Sequence, residues 1–161
     1  MKHSAIGRAT TASPPPPAAV SLDVRQGGGA ARPSAAASLT ILVVEDDRAL
    51  RDLLRITLES SGYEVLAAAD AAEAMRLAEP PGRAIALLVS DVMMPGMTGP
   101  DLARRLRASR AGLEVLLVSG YSRDSELLDP RVAFLQKPFR PQALKDMVRG
   151  LLDPDASLPD E

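Results

Sequence analysis

The stretch "LLVSDVMMPGMTGPDL", residues 87–102, opens on a short apolar run that stops on Asp91 and gives way at once to Pro95, Gly96 and Gly99. An apolar run of strand length bounded by turn residues reads as a buried strand. A strand that ends on a carboxylate presents the acid at the edge of a core and does not hide it inside. Because the run before Asp91 is hydrophobic or small, with no polar alternation through Leu87, Leu88 and Val89, both faces of the strand are expected to be covered, as in a parallel sheet.

The same grammar recurs on either side. Residues 39–44, 63–69, 84–90, 113–119 and 132–136 read as five strands. Between them lie helical patterns. From Arg48, residues Leu50, Leu53, Leu54 and Leu58 fall on one helical face, and Gly62 closes the helix. Asp70 is placed to cap a helix carrying Ala71, Ala74, Met75 and Ala78, which Pro80, Pro81 and Gly82 break. Thr98–Arg107 reads as a helix with Leu102 and Leu106 inward, and Pro141–Leu152 as a last helix with Leu144, Met147, Val148, Leu151 and Leu152 on one face. Strict alternation of strand and helix predicts an α/β fold with right-handed crossovers. Five strands in this length suit a doubly wound, flavodoxin-like parallel sheet of order 2-1-3-4-5, whose ligand site lies beyond the carboxyl ends of strands 1 and 3.

Composition narrows the function. The chain has 161 residues, no cysteine, and one histidine, His3, near its start. A disulfide framework, a thiolate metal site and a cysteine nucleophile are therefore ruled out. A formal net charge of -2 argues against a direct nucleic-acid binder. The longest apolar runs, such as "ILVV" and "AIALLV", are too short to span a bilayer, and the start lacks the apolar segment of a signal peptide. A cytoplasmic protein without membrane contact is expected. Residues 1–38, rich in Pro, Ala and Gly, are expected to be a disordered tail or linker, residues 39–152 the folded domain, and residues 153–161 an acidic C-terminal tail.

Four strands end in polar residues that burial does not require: Glu45, Asp46 and Asp47 after the first, Asp91 at the third, Ser119 at the fourth and Lys137 after the fifth. Each has an ordinary reading as helix cap, turn residue or solvated charge. In the proposed strand order, however, all of them gather at one end of the sheet. Clustered carboxylates repel one another unless a cation neutralises them. Oxygen donors without His or Cys favour Mg2+, commonly held by one or two carboxylates, waters and a phosphate oxygen. Lys137 and Ser119 would contact further phosphoryl oxygens. The available nucleophile is then an aspartate carboxylate, giving an aspartyl phosphate.

The pieces "ILVVEDD", "VSDVMMPGMTG", "LLVSGYS" and "FLQKPF" occur in order and on the expected elements. With them, the chain from Leu39 to Leu152 resembles the receiver domain of two-component response regulators, in a style similar to the C-terminal receivers of hybrid histidine kinases. The resemblance implies that Asp91 accepts a phosphoryl group from a sensor histidine kinase or a histidine phosphotransfer protein. It implies that Glu45, Asp46, Asp91 and the backbone carbonyl of Met93 hold Mg2+, and that Ser119 and Lys137 bind the phosphoryl group, with a cis bond from Lys137 to Pro138. Phe134 stands where the family has its switch aromatic; a simple core aromatic is the other reading. Pro95 and Gly99 would shape the loop beside Asp91, and Met93 and Tyr121 would border the path of attacking water and tune phosphate lifetime. Self-dephosphorylation would accompany acceptance, without general enzymatic turnover.

One departure from the family is legible. Few residues separate Ser119 from Phe134, and Asp129-Pro130 would stop a helix there, so helix 4 is expected to be shortened or missing. No output domain is expected in this chain, which points to signalling or phosphate shuttling by protein-protein interaction. Two rivals from other classes are a flavin-binding module, for which "EDD" would repel an uncompensated phosphate, and a Mg2+-dependent phosphatase with an aspartyl nucleophile. The second class typically carries an acid two places after the nucleophile, where this chain has Met93.

Overall fold

The computed structural model describes residues 39–79, 84–121 and 129–153. Five parallel strands, β1 (Thr40–Val44), β2 (Glu64–Ala68), β3 (Ile85–Asp91), β4 (Glu114–Ser119) and β5 (Ala133–Gln136), form one sheet in the order β2-β1-β3-β4-β5. The helices are α1 (Arg48–Glu59), α2 (Ala71–Ala78), α3 (Gly99–Ser109) and α4 (Pro141–Leu152). The doubly wound order expected from the alternation is the one observed.

Alternate residues of the central strands feed two apolar layers. Ile41, Val43, Leu87, Val89, Leu116 and Val118 pack with Leu54 and Leu58 of α1 and Leu144 and Val148 of α4. Leu42, Val44, Leu88, Val115 and Leu117 pack on the other face with Ala71, Ala74 and Ala78 of α2 and Leu102, Ala103 and Leu106 of α3. This period-2 division explains why the strands contain almost no polar residue: each face of β1, β3 and β4 has a helix layer against it.

Local chemistry sets the helix starts. Asp47 caps α1 by accepting from the Leu50 N–H at 2.9 Å. Asp70 caps α2 by accepting from the Glu73 N–H at 2.8 Å, while Glu73 accepts from the Ala69 N–H at 2.7 Å. That reciprocal pair is a capping box displaced by one residue. Thr98, which the periodicity places inside α3, is instead its N-cap, with its hydroxyl accepting from the Asp101 N–H. Gly62, at φ +93°, turns the chain after α1 into β2, a conformation that favours glycine.

One helix face differs from the expectation. Leu53 is 43% exposed, whereas Thr57 is buried beside Leu54 and Leu58. With α1 starting at Arg48, the 3.6-residue period brings Leu50, Leu54, Thr57 and Leu58 over the sheet and leaves Leu53 on the shoulder. The expected shortening of helix 4 falls on residues 122–128, which lie outside the described residues, as do the Pro80–Gly82 break, the 1–38 tail and nearly all of the 153–161 tail. The last helix, α4, follows β5.

Candidate functional site

The carboxyl ends of β1, β3, β4 and β5 converge because the strands are parallel and adjacent. Glu45 directly follows β1, and its N–H donates to the Ala68 carbonyl of β2 at 3.2 Å, so the residue continues the sheet. Asp91 is the last residue of β3, paired in register with Val118. Ser119 ends β4, and its carbonyl accepts from the Lys137 N–H at 2.7 Å, which fixes Lys137 just past β5. Rigid strands, not free loops, therefore set the positions of three of these groups.

Carboxylate oxygens of Glu45, Asp46 and Asp91 lie within 4.8 Å of one another. Glu45 is almost wholly buried, Asp91 is partly covered and Asp46 is exposed. Lys137 reaches over β4 to join two of them: its ammonium donates to Glu45 Oε2 at 3.0 Å and to Asp91 Oδ2 at 3.1 Å. Burial raises the Glu45 pKa above the ordinary carboxylate value and outweighs the lowering effects of Lys137 and the Asp47 N–H. Burial also works against the Lys137 charge, but its bonds to Glu45 and Asp91 prevail and raise its pKa. The result is an acid cluster that keeps one cation within it.

The backbone beside Asp91 is equally constrained. A Cβ on Gly99 would lie 2.2 Å from the Asp91 carbonyl oxygen and 3.1 Å from Leu117 Cδ2, so only glycine fits where α3 begins against the end of β3. The Gly99 N–H donates to the Val92 carbonyl at 2.9 Å. Gly96 takes φ +85° in the same loop. Pro95 is exposed in that loop, and the Met93 N–H donates to Asp91 Oδ1 at 3.3 Å.

Other predicted residues fall into place around this centre. The Ser119 hydroxyl accepts from the Tyr121 N–H at 3.1 Å. Met93 and Tyr121, each two places beyond Asp91 and Ser119, are 62% and 72% exposed. The Lys137-Pro138 bond is cis, as the resemblance implied. Phe134 is half-buried and packs against the α2 and α3 layer.

Two contributors were not legible in the sequence. Ser90 is fully buried, and its hydroxyl donates to the Asp91 carbonyl at 2.9 Å. Arg51, on the first turn of α1, donates to the Glu45 carbonyl at 2.7 Å. Ser90 sits one place inside the end of β3, where Asp91 takes the eye, and Arg51 lies on a helix away from any strand end.

An oxygen-only donor set at the switch point of a 2-1-3-4-5 sheet, with a lysine shared between two acids, has a counterpart among known proteins. Residues 41–149 match the response regulator receiver domain. The chain belongs to the response regulator receiver family. This receiver is 38% identical over 118 residues to the sensor kinase CckA of Brucella abortus (strain 2308), covering 71% of the chain and 12% of that kinase. The crystal structure of the receiver domain from hybrid histidine kinase CckA matches with 39% identity and a TM-score of 0.62, over 71% of this chain and 99% of that one. The response regulator TrrA of Thermotoga maritima, solved in complex with Mg(2+)-BeF, matches with 30% identity and a TM-score of 0.63, over 71% and 99% of the two chains. The chain thus spans about an eighth of the length of its curated kinase relative, as 12% coverage requires. Among the described residues, no helix is long and apolar enough to cross a membrane.

Proposed function

We propose that this receiver takes a phosphoryl group from a phosphohistidine donor, a sensor histidine kinase or histidine phosphotransfer protein, onto Asp91. The observation that carries this reading is the placement of Asp91 at a rigid strand end, within 4.8 Å of two further acids and 3.1 Å from an ammonium.

An Asp91 carboxylate oxygen attacks phosphorus, a P–O bond forms, the P–N bond to the donor imidazole breaks, and its electron pair returns to the ring nitrogen. The chain's part is to position and neutralise. Strand β3 aims the nucleophile, Lys137 beside Asp91 Oδ2 would meet an oxygen of the arriving phosphoryl group, and Ser119 offers its hydroxyl at the end of the neighbouring strand. Glu45, Asp46 and Asp91 supply hard oxygen donors of the kind that suit Mg2+. When bound, the ion would offset the charge of the phosphoryl oxygens as they approach the acids. The Met93 carbonyl is proposed as a further ligand, and Phe134 as the aromatic that responds to phosphorylation. Exposed Met93 and Tyr121 would govern access of the water that hydrolyses the acyl phosphate, and a cytoplasmic site of action fits a phosphohistidine donor.

Intact-mass measurement after incubation with Mg2+ and acetyl phosphate tests the reading. Wild type should gain one phosphoryl group, and Asp91→Asn none. Equal labelling of both would place the acceptor elsewhere. If neither is labelled by acetyl phosphate or by a phosphohistidine donor, the phosphoacceptor reading fails.

A further inference from the structure

The loop that carries Glu45 and Asp46 is held from an unexpected direction. Arg51 Nη1 donates to the main-chain carbonyl of Glu45 at 2.7 Å and contacts that of Asp46 at 3.4 Å. Both contacts are with backbone oxygens, so the guanidinium braces the loop and leaves the two carboxylates to the pocket. A second brace is the Asp47 N–H, which donates to Glu45 Oε1 at 3.2 Å. Three consecutive acids repel one another, and this loop must keep two of them aimed at one point while the third caps α1. A permanently charged guanidinium anchored on a helix turn suits this task, because it offsets the local negative charge at every pH at which the carboxylates titrate.

We infer that Arg51 is a positioning residue for the cation-binding acids: its hold on the Glu45 and Asp46 carbonyls sets the arrangement in which Glu45 and Asp46 ligate Mg2+. This rests on the proposed role of those two acids as Mg2+ ligands. Groups that orient ligands without touching the metal usually change its affinity by about 10–100-fold when removed. The lower end applies here, because the bonds reach the ligands through the backbone.

The test is a Mg2+ titration of the full chain followed by backbone amide NMR, without any phosphodonor. Wild type should show saturable shifts at the amides of residues 45–47 and 91, and Asp46→Ala should lose them. Arg51→Ala and Arg51→Met, the latter keeping the aliphatic stem over the helix, should weaken Mg2+ by about tenfold. Arg51→Lys should recover part of the affinity, since one ammonium can still reach a carbonyl. Arg55→Ala, whose side chain bonds Glu59 on the exposed face of α1, should match wild type. Wild-type affinity in whichever of the Ala and Met variants folds would overturn the role of Arg51. If wild type gives no saturable shifts, or Asp46→Ala keeps them, the ligand assignment fails instead.

Discussion

The Lys137 ammonium lies 3.0 Å from Glu45 Oε2 and 3.1 Å from Asp91 Oδ2, so one cation just past the fifth strand ties together acids at the ends of the first and third. Glu45 is almost wholly buried, with Lys137 as the cation bonded to its carboxylate. Lys137→Ala should therefore cost about 2 kcal/mol in Mg2+-free buffer, the range for a lost hydrogen bond to a buried charged group. The loss should shrink at saturating Mg2+, which would neutralise the same oxygens. Urea unfolding with and without the ion measures both. Phosphoryl acceptance should persist in part while the conformational response is lost.

Adjacent acids should separate into two roles. Asp47→Ala removes the α1 cap and should cost about 1 kcal/mol while keeping Mg2+ binding. Asp46→Ala removes a carboxylate from the cluster and should abolish the ion's stabilising effect, which for wild type at a hundred times Kd is about 2.7 kcal/mol. Thermal unfolding across a Mg2+ series distinguishes them.

Gly99→Ala forces a Cβ against the Asp91 carbonyl and should destabilise by about 3 kcal/mol, with loss of phosphorylation as the strand end shifts. Gly112→Ala meets no atom within 4 Å and has no positive φ. It should be neutral or stabilising by about 0.5 kcal/mol, through the unfolded chain. Denaturant midpoints of the two variants give the comparison.

The turn before β5 carries a pH dependence of known sign. Side-chain and backbone hydrogen bonds from Arg131 lower the Asp129 pKa from 3.8 to about 2. A depressed carboxyl pKa adds stability that is fully present above 3.8 and disappears as pH falls through about 2. Both groups are exposed, so the effect on global stability is small and the direct measurement is the carboxyl carbon shift of Asp129 against pH. Arg131→Ala should return that titration to the ordinary range.

Much of this arrangement could be read from residue order because strand ends in a parallel sheet are marked by a change of chemistry. Asp91, Ser119 and Lys137 each stand at or just past the end of a largely apolar strand, and the sheet order brings them together. Asp70 was equally legible as a cap. Leu53 and Thr57 were not, since the apolar period of a helix has a shoulder at which identity alone does not decide what turns inward. Arg51 was hidden for a different reason: its target is a carbonyl, which has no letter in the sequence. Gly99 reads as a loop former, yet its real constraint is the carbonyl of Asp91, eight residues earlier.

Strand β5 has a sheet neighbour on one side only, and it delivers Lys137 across β4 to the acids near the middle of the sheet. A change in the charge of Asp91 would therefore act directly on a residue rooted at the rim. That residue lies beside an edge strand, and the chain runs from it through Pro138 into the last helix.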